Sequence, residues 1–201
     1  MRLIGGMLAR HASPARLVMA AILAVTLLLR IPSLFEPPWY DDEGIYAAVA
    51  HGLLNGRDLY REILDNRPPG IYFIYGLLLS WSNYAPWMIK GGATAAVLAG
   101  QIGLALVGRA LWNAPVGLIA AAITGVVMSL PPFEGNIANA ELFMLPAIAF
   151  GMLAIVRDRP LAAGVLFGVA FLVKQIAAME AAAAALALLL WSPRQIGRAH
   201  V

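Results

Sequence analysis

Four groups of polar residues interrupt an otherwise apolar chain, and their types suit proton transfer and anion binding. The first is Trp39-Tyr40-Asp41-Asp42-Glu43-Gly44, three adjacent carboxylates ahead of Ile45, Val49 and Leu53. That i, i+4, i+8 spacing predicts an amphipathic helix of about three turns, and Pro37-Pro38 stops any helix before it. Read as caps, Asp41 is the N-cap, and Asp42 and Glu43 sit favourably in the first-turn dipole. Read as chemistry, a carboxylate held beside a membrane surface can act as general base toward a hydroxyl. Capping accounts for one acid well, but not for three in a row.

The second group is Asp65-Asn66-Arg67-Pro68-Pro69-Gly70. The twin prolines hold the chain extended and set where Arg67 points. A guanidinium at headgroup level can fork onto a phosphate, or simply snorkel. The third group is Glu134-Gly135-Asn136 through Glu141, where Glu141 opens a long apolar run and also suits a helix N-terminus. The fourth is Lys174-Gln175 at the end of a run, followed by Glu180 inside the next. An acid inside an apolar segment is costly and points to function by default; Lys174 is its expected partner. His11 and His51 are isolated and read as surface residues.

Apolar runs that could carry these groups fall at 13–33, 71–82, 86–108, 114–131, 138–156, 160–174 and 176–192. Crossing a bilayer takes roughly 20 residues. The 71–82 run is too short and is studded with Tyr72, Phe73, Tyr75 and Trp81, with Tyr84 and Trp87 just beyond it, rings that prefer the headgroup level. If it crossed, Arg109, Arg157, Arg159 and Arg194 would fall on the outer side, against the positive-inside rule. If it lies in the outer interface, those arginines join Arg2, Arg10 and Arg16 in the cytoplasm. Asp42, Glu43, Arg67, Lys90, Glu141 and Lys174 then gather on the other face. The expectation is therefore an all-α polytopic bundle of six spans, 13–33, 86–108, 114–131, 138–156, 160–174 and 176–192. Its outer loop, 34–85, carries amphipathic juxtamembrane helices, and the N-terminus is cytoplasmic. Gly100, Gly103 and Gly108, the Gly164/Gly168 pair and the Ala181–Ala185 run are expected to pack helix on helix. No small-x-small cleavage site follows the first apolar run, so it is expected to remain as a span.

Composition narrows the classes further. Of 201 residues, 61% are hydrophobic and only 12% charged, against about 25% charged in soluble domains. A soluble enzyme, a disordered chain and a collagen-like repeat are excluded. Without cysteine there is no disulfide, thiolate metal site or cysteine nucleophile. The net charge of +3 hides an uneven spread, because residues 36–67 hold seven acids against three arginines. Basic residues punctuate apolar runs instead of clustering, so no nucleic-acid partner is expected. No phosphate-cradling Gly-rich loop of the Walker or dinucleotide type is present. The last six residues, Ile196-Gly197-Arg198-Ala199-His200-Val201, read as a translated sequencing adapter. They are set aside, leaving 1–195 as the expected N-terminal part of a longer transmembrane domain.

Taken in order, the motifs carry a resemblance. A first span, Asp42-Glu43-Gly-x-Tyr46-x-x-x-Ala50, Gly56-x-x-x-Tyr60 and Arg67-Pro68-Pro69-Gly70-x-Tyr72 together resemble the protein O-mannosyltransferase superfamily. Asn139-x-Glu141-x-Phe143 and Gly164-x-x-x-Gly168-x-Ala170-x-x-x-x-Lys174 fit the same pattern. That superfamily includes the aminoarabinose transferases of lipid A and the lipopolysaccharide-core galacturonosyltransferases. The resemblance, covering about residues 14–192, implies a GT-C fold in the bacterial inner membrane with its active site on the periplasmic face. It implies a polyprenyl-phosphate-linked sugar donor and a hydroxyl acceptor on lipid, glycan or protein. Asp42 falls at the catalytic acid position with Glu43 beside it, Arg67 and Lys174 at donor-phosphate positions, and Glu141 at the second-loop acid. Arg67 stands where many members have Lys, and the extra Asp41 leaves open whether the base is shifted by one. Lys90 and Arg30 are further candidates for the phosphate. No cofactor is assigned, although some members use a divalent cation, which these carboxylates could bind.

The expected reaction is inverting transfer. Asp42 takes the acceptor proton, the oxygen attacks the anomeric carbon, and lipid phosphate leaves toward the cations. The rival is a transporter or a non-catalytic polyprenyl-lipid-binding subunit, which would place ionisable groups near the bilayer midplane on broken helices.

Overall fold

The structure, a computed structural model, describes residues 14–37 and 41–190. Arg2, Arg10, His11, Trp39, Tyr40, Arg194 and the 196–201 tail lie outside the described residues, as does the side chain of Asp41. The described chain is all helical: α1 (Pro14–Arg30), α2 (Asp41–Leu54), α3 (Gly70–Trp81), α4 (Pro86–Leu111), α5 (Ala114–Val127), α6 (Ala140–Val156), α7 (Pro160–Val173) and α8 (Ala177–Leu190). Short 3₁₀ turns at Pro32–Phe35 and Pro131–Phe133 extend two of the connections.

Local chemistry sets the boundaries. Proline stands in the first turn of α4, α5 and α7, where its missing N–H would be unpaired anyway. The Asn113 side chain accepts from the Val116 N–H at 3.0 Å and caps α5. α6 ends in a left-handed Asp158 (φ 57°). The Asp158 N–H then reaches Ile155 O at 2.9 Å and the Arg159 N–H reaches Ala154 O at 2.8 Å. This Schellman pattern lets Pro160 start α7 at once.

The long α4 is the central helix, with α5, α6 and α1 against it. Its glycines make that possible. A Cβ built on Gly100 would meet Leu145 Cγ at 2.5 Å, one on Gly103 would meet Ala149 Cβ at 2.7 Å, and one on Gly108 would meet Gly117 Cα at 2.7 Å. The expected packing role of these three is what the structure has. Gly164 and Gly168 differ, because a Cβ on either meets nothing within 4 Å. They line an open groove between α7 and α8 rather than a helix contact. Small-residue spacing marks where a close approach is allowed, not where a neighbour stands.

Two helices, Pro14–Phe35 and Pro86–Leu111, are long and apolar enough to cross a bilayer. The other apolar helices are shorter than 18 residues. The expected runs 114–131 and 138–156 narrow to Ala114–Val127 and Ala140–Val156, since Pro131–Phe133 and the 134–139 loop take up their ends. Around a largely apolar core, many large apolar side chains face outward and several polar ones are buried. Leu17, Leu28, Ile119, Ile123, Leu161 and Val165 face outward, while Thr26, Arg30, Glu43, Lys90 and Gln101 are buried. In mid-bundle, Gln101 Nε2 donates to Thr26 Oγ1 and to Ala121 O, both at 2.9 Å.

The chain from 31 to 93 leaves and re-enters the bundle at one end. Arg30, the last residue of α1, donates from Nε to Thr94 Oγ1 in the third turn of α4 at 3.0 Å. α3 begins with Gly70 against the Leu172 carbonyl at the end of α7. It ends with Leu78 against Gly92 near the start of α4. It therefore lies across the end of the bundle, with Ile71, Tyr72, Tyr75 and Leu79 buried and Phe73, Leu77 and Trp81 exposed. α2 packs on α3. Its buried face is Glu43, Tyr46, Val49 and Ala50, whereas Ile45 is 40% exposed. Val49 and Leu53 of the expected Ile45–Val49–Leu53 stripe face the core, and Ile45 turns outward because burying Tyr46 and pairing Glu43 outweigh one isoleucine.

Candidate functional site

Asp42 and Glu43 share the first turn of α2, but successive helical side chains point about 100° apart. Asp42 turns to the rim. Its Oδ1 accepts from Arg67 Nη2 at 2.7 Å and its Oδ2 from the Tyr46 hydroxyl at 3.2 Å. Glu43 turns inward. Its Oε1 lies 2.7 Å from Lys90 Nζ and accepts the Ala138 N–H, while its buried Oε2 has no partner. Lys90 also donates to Asn136 O at 3.3 Å. One residue of the acidic pair is therefore open at the surface, and the other ties α2 to α4 and to the loop before α6.

Arg67 is brought to Asp42 by the loop between α2 and α3. Gly56 (φ 79°) and Tyr60 (φ 67°) turn that loop back. The Tyr60 hydroxyl donates to Arg67 O at 2.6 Å. The guanidinium carbon lies 5.1 Å from the centre of the Tyr46 ring, a cation–π distance. Its other side meets Asp65 Oδ2 at 3.6 Å, and Asp65 in turn accepts from the Tyr72 hydroxyl at 2.6 Å. Burial lowers the Arg67 pKa, but Tyr46, Asp42 and Asp65 outweigh it, and the net direction is upward. Burial raises the Tyr46 phenol, opposed by Arg67 and assisted by Asp42 and by Glu141. Tyr72 rises through burial and its bond to Asp65, and Tyr75 through burial with Glu43 nearby.

Glu141 and Lys174 form a further, partly exposed ion pair, joining the first turn of α6 to the residue after α7. The two pairs lie at the same end, because Glu43, next to Asp42, accepts the Ala138 N–H three residues before Glu141, and Gly70, three residues after Arg67, packs on the Leu172 carbonyl two residues before Lys174. Lys174 was expected to meet Glu180; it meets Glu141 instead, and Glu180 Oε2 is left buried without a partner. The side chains of Asp42, Arg67, Glu141 and Lys174 keep 26%, 21%, 44% and 24% exposure, against 2% and 5% for Glu43 and Lys90. The first four are accessible to a ligand and the last two are not. Arg30 is also closed off, donating to Thr94 Oγ1 and to the carbonyls of Met128 and Gly135. Lys90 and Arg30 therefore hold helices together where a phosphate contact was conceivable.

Residue types alone missed several participants. Asp65 and Tyr72 steady Arg67, and their signal was the short Asp65-x-Arg67 spacing before the prolines. Tyr46 and Tyr75 pack edge-on at 5.4 Å, and the Tyr75 hydroxyl donates to Ala138 O at 2.7 Å. His51 is exposed, as expected, and borders a cavity of about 240 Å³ lined also by Glu43, Ala47, Leu79 and Ile89. Its ring sits edge-on to Tyr84 at 5.2 Å. Among the described residues no three His, Asp or Glu side chains group as a metal cage. Comparison with protein families, curated proteins and solved structures returns no match.

Proposed function

We propose that this chain is a GT-C-type membrane glycosyltransferase unit that moves a sugar from a polyprenyl-phosphate donor to a hydroxyl on a lipid, glycan or protein. The bundle is read as polytopic, lying in the bacterial inner membrane with the acid cluster on the periplasmic face. One observation carries the reading: the 2.7 Å Asp42–Arg67 pair and the Glu141–Lys174 pair, both partly exposed, lie at the same end of a bundle with many outward apolar side chains. A carboxylate and two cations at a membrane surface suit a reaction whose substrate is a lipid phosphate. α3, with apolar Phe73, Leu77 and Trp81 on its free face, suits the headgroup layer there.

In this reaction Asp42 accepts the proton of the acceptor hydroxyl, and the freed oxygen bonds to the anomeric carbon with inversion. The bond from that carbon to the phosphate oxygen breaks, and its electron pair leaves on the polyprenyl phosphate. Arg67 and Lys174 stabilise the growing phosphate charge. Without donor, Asp42 is tied to Arg67. A phosphate that takes over the guanidinium releases Asp42 to act as base. Asp65, fixed by Tyr72, keeps Arg67 at the rim meanwhile. Glu43 is assigned to holding α2 in register rather than to proton transfer. The charged groups on described helices lie near helix ends, and the mid-bundle network of Thr26 and Gln101 is neutral. That distribution favours interfacial chemistry over a midplane transport site.

The test uses undecaprenyl phosphate with the protein in nanodiscs, read by tryptophan fluorescence, and transfer from undecaprenyl-phosphate sugars in membranes. Arg67→Gln is expected to weaken binding about tenfold or more, consistent with loss of a charge-assisted pair. Asp42→Asn is expected to cut transfer by about 10²–10⁴ without weakening binding, since it releases Arg67. Undiminished turnover in Asp42→Asn would rule out its role as the base.

A further inference from the structure

The opposite end of the bundle carries a polar feature that the transfer chemistry does not use. There α1 begins, α4 ends and α5 starts, with Gly108 pressed on Gly117. Between the three helices lies an open crevice of about 260 Å³, with Met19, Ala105, Leu106 and Leu118 among its walls and Arg16 and Arg109 at its edge. Both arginines are exposed. Among the described residues neither guanidinium has an ion pair or hydrogen bond. Ala114, the first residue of the 14-residue α5, lines the same crevice, so the positive end of that helix adds to the two charges. On the other side of the same turn of α1, Leu17 and Val18 are 60% and 47% exposed, as suits a helix that faces lipid.

We propose that this crevice binds one anionic diacyl phospholipid. Its phosphate is held between Arg16 and Arg109, and an acyl chain lies along the Met19–Leu118 walls. Among the described residues the two guanidinium groups have no counter-charge, and an anion held between them supplies it. The apolar walls below them would be left wet by a free phosphate but are covered by a lipid chain. A zwitterionic lipid brings its own ammonium to the same place and loses the charge match. Basic pockets between helices at the cytoplasmic side are where acidic lipid headgroups are recognised, and the excess arginine of this end fits that side. The inference rests on the bundle lying in a membrane and uses none of the transfer residues, so it survives or fails separately from the proposed reaction.

The protein, purified in a neutral detergent, is titrated with phosphatidylglycerol, phosphatidylcholine and inorganic phosphate. Lipid retention is read by native mass spectrometry and unfolding by a thermal scan. One phosphatidylglycerol is expected to be retained, with a rise in Tm, while phosphatidylcholine binds about tenfold more weakly or worse. Each of Arg16→Gln and Arg109→Gln should weaken phosphatidylglycerol about fivefold, and the double variant about 25-fold, from about 1 kcal/mol per arginine. Arg16→Lys with Arg109→Lys, which keeps both charges, should retain most of the affinity. A cooperative thermal transition of each variant without lipid, at the parent's Tm, checks that it is folded. Equal retention of both lipids, or unchanged phosphatidylglycerol binding in the double glutamine variant, overturns the proposal. An equal Tm shift from inorganic phosphate overturns the lipid occupant in favour of a free anion.

Discussion

Glu43 is 2% exposed, and there Lys90 meets it at 2.7 Å and the Ala138 N–H donates to the same oxygen. Breaking such a buried pair from one side leaves an uncompensated charge and costs about 3–5 kcal/mol, whereas removing both partners costs much less. Glu43→Gln should therefore lower the unfolding temperature sharply, and Glu43→Gln with Lys90→Met should recover most of the loss. A double variant no more stable than Glu43→Gln would count against the pair as the reason. At Asp42 the balance is different. Its partners are a guanidinium and a phenol at a partly open rim, so its replacement should change chemistry more than stability. The two neighbours differ only in which way the first turn of α2 points them.

At the scale of elements, α4 works as the central helix because three of its glycines let Leu145, Ala149 and Gly117 approach within contact. Replacing Gly108 by alanine sets a methyl 2.7 Å from the Gly117 Cα, a backbone atom that cannot turn aside. That change should destabilise α4 against α5 in a thermal or denaturant scan. Gly164→Ala and Gly168→Ala meet open space. They should stabilise α7 by about 0.5–1 kcal/mol each through helix propensity. The reverse ranking would mean that the α7–α8 groove is closed in solution.

For the whole molecule, the decisive contact is Arg30 to Thr94, which returns the chain to the end it left before α4 begins. Every later helix then alternates from that point, so Glu141 and Lys174 return to the end that holds Asp42 while Arg109, Arg157 and Arg159 fall at the far end. The chain has no cysteine, so single cysteines report the sides cleanly. Arg61→Cys, in the α2–α3 loop, should react with an impermeant maleimide from outside intact cells. Arg157→Cys, in the α6–α7 turn, should react only after permeabilisation. Labelling of both from one side would separate the two clusters from a common membrane face.

Much of this was legible from the chain alone. Apolar runs and their prolines located the helices, since hydrophobic burial and a missing N–H act locally. The polar breaks between apolar runs suggest one shared end for the acids, Arg67 and Lys174, and the Glu43–Ala138 and Gly70–Leu172 contacts lie at one end of the bundle. Periodicity could not say which acid of the pair is buried, that Lys174 meets Glu141 rather than Glu180, or that Gly164 and Gly168 face a void. Those outcomes depend on which helix ends come within a few ångströms of one another. Charge pairing and close packing are decided by neighbours distant in the chain, and only the tertiary arrangement supplies them.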